Sequence, residues 1–365
     1  MAVVLRDVGQ YIQGAGELDN LGKFVKKLGN KFLLICSPNN KRRIGDRIET
    51  ALKSVEKEMV YSEFHNQCTM EAIEKAIADG TAAGCDIVIG AGGGTAIDTA
   101  KAVATKMGVI PCVIIPTIAS NDAPCAGLSV VYNEEGVVVK VINMVRNPDV
   151  VLVDTGVIAQ APRKFLVSGM GDALATYFEA RACWRTGART MARGNCSHTS
   201  LAMAKLCYDL LLDHSVKALE AVDRNEVNED LENVVEACIY LSGFGAICGG
   251  LAAAHAINDG LGAVPQIHAN GTSHGEKVAF GLIAQLILEK APKEEWDTVL
   301  NYIHAVGLPS TLADLGVTEF VEADFRRAAK IAASPKEFTK NVRADITADE
   351  VYDAILAADK AGAAK

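Results

Sequence analysis

Up to about residue 160 the chain alternates short apolar, β-branched runs with stretches of helical period. Residues 31–36, 86–89, 112–115 and 150–153 read as buried strands, with helical periodicity near 41–56, 69–83 and 96–107 between them. Such alternation implies βαβ units and a parallel sheet covered by helices. Residues 128–132 and 137–142 read as a hairpin turning at 133–136. After Ala161-Pro162 the strand signals vanish, and helical segments follow near 170–185, 190–214, 226–247, 249–262, 274–290 and 294–305. The expected architecture is an α/β parallel-sheet domain over 1–160 and an all-helical domain over 161–365. With no repeat or low-complexity linker between them, the two are expected to pack together and share a cleft, a common place for a small-molecule site.

Composition narrows the chemistry. A chain of 365 residues, half of them hydrophobic, can bury a large core and favours two domains. The start, Met-Ala-Val-Val-Leu-Arg, has no secretory pattern, and no stretch approaches the run of about 18 apolar residues that a membrane span needs. The expectation is a cytoplasmic protein with no membrane partner. A net charge of −9, with no basic stripe to offset it, argues against nucleic acid. The ten cysteines lie in apolar segments without C-x-x-C spacing, as reduced packing residues do.

Gly90-Ala-Gly-Gly-Gly94 follows a strand and precedes a helix beginning near Thr95. Backbone N–H groups at Gly93, Gly94 and Thr95 would face an anion such as a pyrophosphate at the positive end of that helix. The G-x-G-x-x-G spacing is absent, and no acid stands about 20 residues on. A tight turn, with Thr95 as N-cap and Asp98 as its capping partner, explains the glycines equally well.

In the helical half, His255 and His274 stand in apolar or small-residue surroundings, and Asp172 opens a helical stretch after Gly169-Met-Gly171. Two histidines and one carboxylate, with a coordination position left open, form a catalytic type of zinc site. They come from three separate segments, so spacing leaves open whether they converge or are ordinary core residues. Asn258 and Asp259 lie one turn beyond His255, as partners of a metal ligand or as polar surface. His268 reads as part of a loop over 264–272 and is not taken as a ligand.

Several strings carry a resemblance: Tyr11-Ile-Gln-Gly14, the glycine run with Asp98-Thr-Ala-Lys101, Pro116 to Cys125, Gly169 to Ala175, Glu179-Ala-Arg-Ala182, Gly250 to His255, and His274 to Gly281. In order, from about residue 9 to beyond 310, they resemble the glycerol dehydrogenases of the iron-containing alcohol dehydrogenase superfamily. The resemblance implies an N-terminal cofactor domain, a helical domain, and a divalent metal, usually zinc, on Asp172, His255 and His274. It places Asp122 against the substrate polyol, and Gly94, Thr117, Ser120, Leu128 and Tyr132 at cofactor-contacting positions. The implied reaction moves a hydride between glycerol or a related vicinal diol and NAD, in a homo-oligomer of up to eight copies.

The departures matter too. The family pattern has Lys where Thr95 stands, Thr at Ala96, Ser at Ala126, His at Asn258, and an acid at Ser37, the position that normally holds the adenosine ribose. Without that acid, and with Lys41-Arg42-Arg43 following, NADP becomes an alternative to NAD. Three other readings remain: a 2-keto acid or hydroxyketone reductase on the same scaffold, a dehydroquinate-synthase-like lyase, and a nucleotide-binding regulatory subunit. The lyase needs a cationic cluster, and between Ser242 and Lys290 only Lys277 precedes the last residue. The intact set of metal-type residues disfavours the regulatory subunit.

Overall fold

Apolar runs that are buried on both faces form the centre of a parallel sheet, and these are the runs that stand out in the sequence. The computed structural model describes residues 2–65, 67–134 and 136–364. One compact unit takes Arg6–Pro162 and Ala221–Tyr240. Its sheet has β1 (Tyr11–Gly14), β2 (Lys31–Cys36), β3 (Glu58–Glu63), β4 (Ile87–Gly92), β5 (Cys112–Pro116) and β8 (Val150–Asp154), all parallel, in the order β1-β8-β5-β4-β2-β3. β4, β5 and β8 are buried at every residue, and β2 at all but its first. The two edge strands, β1 and β3, are absent from the sequence reading. Each pairs on one side only, and each mixes polar with half-buried apolar residues, so no continuous apolar run marks it.

The chain runs from β2 outward to β3, then returns across β2 to β4. That reversal makes the carboxyl ends of β2 and β4 a topological switch point, where open α/β sheets bind ligands. β6 (Leu128–Tyr132) and β7 (Val138–Asn143) form the expected antiparallel hairpin, with the Asn133 side chain accepting from Val137 N at 2.8 Å. Residues 221–240, grouped with the helical half in the sequence reading, belong to the sheet unit. Glu232 explains this, since Gln13 donates to its carboxylate at 2.8 Å and Thr155 at 2.6 Å.

The other unit takes Arg163–Glu220, the chain from Leu241 onward and the first few residues, and it is helical. The helix expected from 190 begins instead at His198. Residues 187–197 are irregular because Gly187 and Arg193 both adopt φ +67°. The helix expected to start at 249 begins at Ala253, after Gly250 turns the chain at φ +103°. His268 lies in the short helix Pro265–Asn270, not in a loop, and is exposed. Two further helices, Glu322–Ala332 and Ala348–Ala363, close the unit.

One helical run, Glu229–Gly249, is long and apolar enough to cross a membrane by length and composition alone. Its most apolar 18-residue window is 78% buried within the protein, and the run contains two π-helical turns. All ten cysteines are free and buried, as expected of packing residues.

Candidate metal centre and glycine turn

Three helices bring Asp172, His255 and His274 together, and glycine makes the approach of two of them possible. Asp172 sits inside Arg163–Thr186, and His274 is the first residue of His274–Leu288. A Cβ at Gly275 would stand 1.7 Å from the Ser168 carbonyl oxygen, and one at Gly171 would stand 2.4 Å from the Gly275 oxygen. Backbone therefore meets backbone here, placing Asp172 beside His274. A capping box fixes the start of the His274 helix, with Ser273 accepting from Glu276 N at 3.3 Å and Glu276 accepting from Ser273 N at 2.7 Å. Gly275→Ala is expected to push the two helices apart. Overpacking of this kind costs about 1–3 kcal/mol and at times more. The melting temperature and the bound metal content should fall together; parental values for both would show that this contact does not set the site.

His255 is oriented from behind by Glu179, which is fully buried on the helix that carries Asp172. Glu179 Oε1 accepts from Ala252 N at 2.8 Å and His255 N at 3.0 Å, so it caps the His255 helix, while Oε2 lies 2.6 Å from His255 Nδ1. The ring donates its Nδ1 proton to that carboxylate and presents Nε2 forward, the usual way a carboxylate orients a metal-binding histidine.

His255 Nε2 lies 3.3 Å from Asp172 Oδ1, and His274 Nε2 lies 3.2 Å from the same oxygen. Tetrahedral bonds of about 2.0–2.2 Å put neighbouring donor atoms about 3.3–3.5 Å apart, so the donor set fits a divalent ion. All three donor atoms lie within 4.8 Å of one another. Asp172 is 1% exposed, the His255 side chain 13% and the His274 side chain 43%, so the group is closed at its base and open on the His274 side. The three groups also act on one another electrostatically. Burial alone would raise the Asp172 carboxyl, but the two imidazoles outweigh it and hold the group well below the usual carboxylate range. Burial likewise opposes a charged His255 ring, yet Glu179 and Asp172 push its pKa well above the ordinary imidazole value.

Asn258 and Asp259 do not stand behind His255. Asn258 donates to Asp259 at 2.9 Å, and the place behind the imidazole belongs to Glu179. Sequence reasoning singled out Glu179 only within a motif. The missed signal is its spacing of seven residues from Asp172, two helical turns on one face.

In the sheet unit, Gly93 and not Thr95 is the N-cap of Gly94–Lys106, and it makes no side-chain cap bond. Thr95 is inside the first turn, and Asp98 pairs with Lys101 at 2.8 Å instead of capping. The helix thus starts at the carboxyl end of β4 on a glycine, which has no side chain to cap it. Neighbours crowd the glycines: a Cβ would come 2.8 Å from Ala96 Cβ at Gly92, 2.8 Å from Ile118 Cδ1 at Gly93 and 3.1 Å from Asn121 Nδ2 at Gly94. Ser37 follows β2 directly and caps the next helical turn, its hydroxyl accepting from Asn40 N at 3.2 Å. Asn40 in turn reaches Thr117 Oγ1 at 3.4 Å, joining the ends of β2 and β5 beside the glycine turn. Ser120 and Asp122 follow on the segment after β5, both partly exposed, and Leu128 and Tyr132 bound β6. Ser37, Gly93, Gly94, Thr95 and Thr117 are thus grouped around the switch point.

Comparison with known proteins agrees with this architecture. The iron-containing alcohol dehydrogenase family model matches residues 9–155. A glycerol dehydrogenase of Escherichia coli O6:H1 is 44% identical over 359 residues, covering 98% of this chain and 97% of that protein. One from Pseudomonas putida is 42% identical, covering 98% and 97%. The crystal structure of a probable glycerol dehydrogenase from Sinorhizobium meliloti 1021 matches with a TM-score of 0.93 at 37% identity, covering 100% of both chains. With full-length relatives at this identity, a matching fold and a candidate metal centre, the chain belongs to the iron-containing alcohol dehydrogenase family and is an oxidoreductase.

Proposed function

We propose that the protein transfers a hydride between glycerol, or a related vicinal diol, and a nicotinamide dinucleotide, forming dihydroxyacetone from glycerol. The observation that carries this reading is the group of two imidazole nitrogens around one buried carboxylate, Asp172, His255 and His274. These residues would hold a divalent ion, zinc in this reading, which when bound supplies the Lewis acidity that lowers the pKa of a substrate hydroxyl. Glu179 keeps the His255 ring in the tautomer that offers Nε2. Asp122 accepts a hydrogen bond from a further substrate hydroxyl and orients the polyol. The N–H groups at Gly93, Gly94 and Thr95, at the positive end of the helix Gly94–Lys106, take the dinucleotide pyrophosphate, with Thr117, Ser120, Leu128 and Tyr132 along the rest of the cofactor.

On this reading the sheet unit is the cofactor domain and also carries Asp122, and the helical unit binds the metal and the substrate hydroxyl on it. Ser37 offers no carboxylate to repel a 2′-phosphate, and Arg42 and Arg43 are exposed on the following turn, which supports NAD with tolerance of NADP. The free, buried cysteines support a reducing compartment, the cytoplasm. Leu206, Leu212 and Val216 are 46%, 37% and 50% exposed on His198–Asp223, which supports a homo-oligomer, an octamer in this reading. The lyase reading loses support, because Arg181 and Arg185 pair with Glu289, and Arg181 also with Glu295, so they are not spare cations for a phosphorylated substrate.

The test is a panel of diols, hydroxyketones and 2-keto acids assayed with NAD and NADP on metal-replete protein, with metal analysis separating zinc from iron. Asp122→Ala should lower kcat/KM for glycerol or propanediol about 10- to 150-fold, the range for a hydrogen bond to a charged group, with little change in cofactor binding. An unchanged kcat/KM for every diol would remove the role given to Asp122. Preference for a keto acid would replace the polyol.

A further inference from the structure

Lys101 is fully buried, on the last turns of Gly94–Lys106. A buried ammonium needs polar partners, and three oxygens surround this one. Lys101 Nζ pairs with Asp98 Oδ1 at 2.8 Å and donates to the carbonyl oxygens of Ala123 at 2.9 Å and Ala126 at 3.2 Å. The other Asp98 oxygen accepts from Val130 N at 3.0 Å. The chain from Ala123 to Val130 is thereby tied at three points to one ion pair, and Asp122 immediately precedes it. Further ties are the turns Cys125 N to Asp122 O at 3.1 Å and Ala126 N to Ala123 O at 3.3 Å, together with Met144 N to Gly127 O at 2.9 Å and Asn147 Nδ2 to Cys125 O at 3.1 Å.

Burying an ion pair is a poor way to gain stability, since well-packed apolar residues often serve as well or better. Placement of the backbone is a role those residues could not fill, because they offer no donors to two carbonyls. We infer that Asp98 and Lys101 are positioning residues for the polyol: through the carbonyls of Ala123 and Ala126 they set where the Asp122 carboxylate stands. The helix that begins at the dinucleotide-facing glycines would then also hold the Asp122 carboxylate that orients the substrate, making one rigid piece of the two. This rests on the reading of Asp122 given above.

The test removes both charges together, as Asp98→Asn/Lys101→Met in the full-length, metal-loaded protein, so that neither is left buried alone. Asparagine keeps an acceptor for Val130 N. If that protein does not fold, Asp98→Asn/Lys101→Gln restores one donor and serves the same purpose. Amide hydrogen exchange across 121–130 should accelerate at least tenfold. The kcat/KM for glycerol should fall tenfold or more, with the Kd for the dinucleotide changing less than threefold. In an Asp122→Ala background the charge removal should cost little more, because the pair acts through that carboxylate. Slow exchange and parental turnover, or an equal loss with and without Asp122, would overturn the inference alone. An Asp122→Ala variant with parental kcat/KM for every diol would overturn the substrate reading and the polyol part of the inference with it, while the exchange measurement still reports whether the ion pair orders the segment.

Discussion

Stripping the metal with a chelator is expected to abolish diol oxidation, and zinc is expected to restore it. His255→Ala and His274→Ala should each lower kcat by about a thousandfold or more, because Lewis-acid stabilisation is worth several kcal/mol and each 1.4 kcal/mol is about tenfold. The fold should largely survive, since the donors decorate helices whose apolar faces are packed elsewhere, and circular dichroism checks this. Metal affinity should also depend on pH in a defined direction. In the metal-free protein the His255 pKa stands well above the ordinary value, so near neutrality the ring carries a proton that an ion must displace. Affinity should therefore rise with pH up to that raised pKa, about tenfold per unit for each proton released, and calorimetry in buffers of different ionisation enthalpy counts the protons.

The same shifts make the metal-free protein pH-sensitive. The His255 contribution to stability is fully present below about pH 6.5, the unfolded value, and is lost as pH rises through the raised folded pKa. The Asp172 contribution is present above about pH 3.9 and is lost as pH falls through the lowered folded pKa. Full activity in a verified metal-free preparation would remove the metal from the reaction.

Glu179 should give the second large effect although it is not itself a proposed ligand. Replacing the partner behind a metal-binding histidine typically costs 10- to about 100-fold in affinity or activity. Glu179→Ala also strips the acceptor from the N–H groups of Ala252 and His255, and a buried unsatisfied donor costs about 1–3 kcal/mol. Loss of stability would then obscure the chemistry. Glu179→Gln separates the two, because the amide oxygen can still cap the helix but the negative charge on the imidazole is gone. That variant should melt near the parent yet bind zinc at least tenfold more weakly, read by competition with a chelator. Parental affinity in Glu179→Gln would show that the His255 ring is oriented by something else.

Much of this protein was determined by its sequence alone. β2, β4, β5 and β8 were legible because a strand covered on both faces must be apolar throughout. The change to an all-helical pattern after Pro162 was legible for a similar reason, since periodicity reports which face of an element is buried. The residue types of the metal group were visible as well, as polar groups out of place among small apolar ones. Tertiary structure decided the rest. β1 and β3 are held by pairing on one side, which leaves little mark on composition. Residues 221–240 join the sheet unit through Glu232, whose partners Gln13 and Thr155 lie more than 70 residues away in sequence. Asp98 looked like a cap because its true partner, Lys101, one turn on, is drawn inward by carbonyls of a later segment. Periodicity tells which side of a helix faces inward, but it does not say which other helix it meets or how closely. Asp172 meets His274 because Gly171 and Gly275 let two backbones touch, and that choice of partner exists only once the chain has folded.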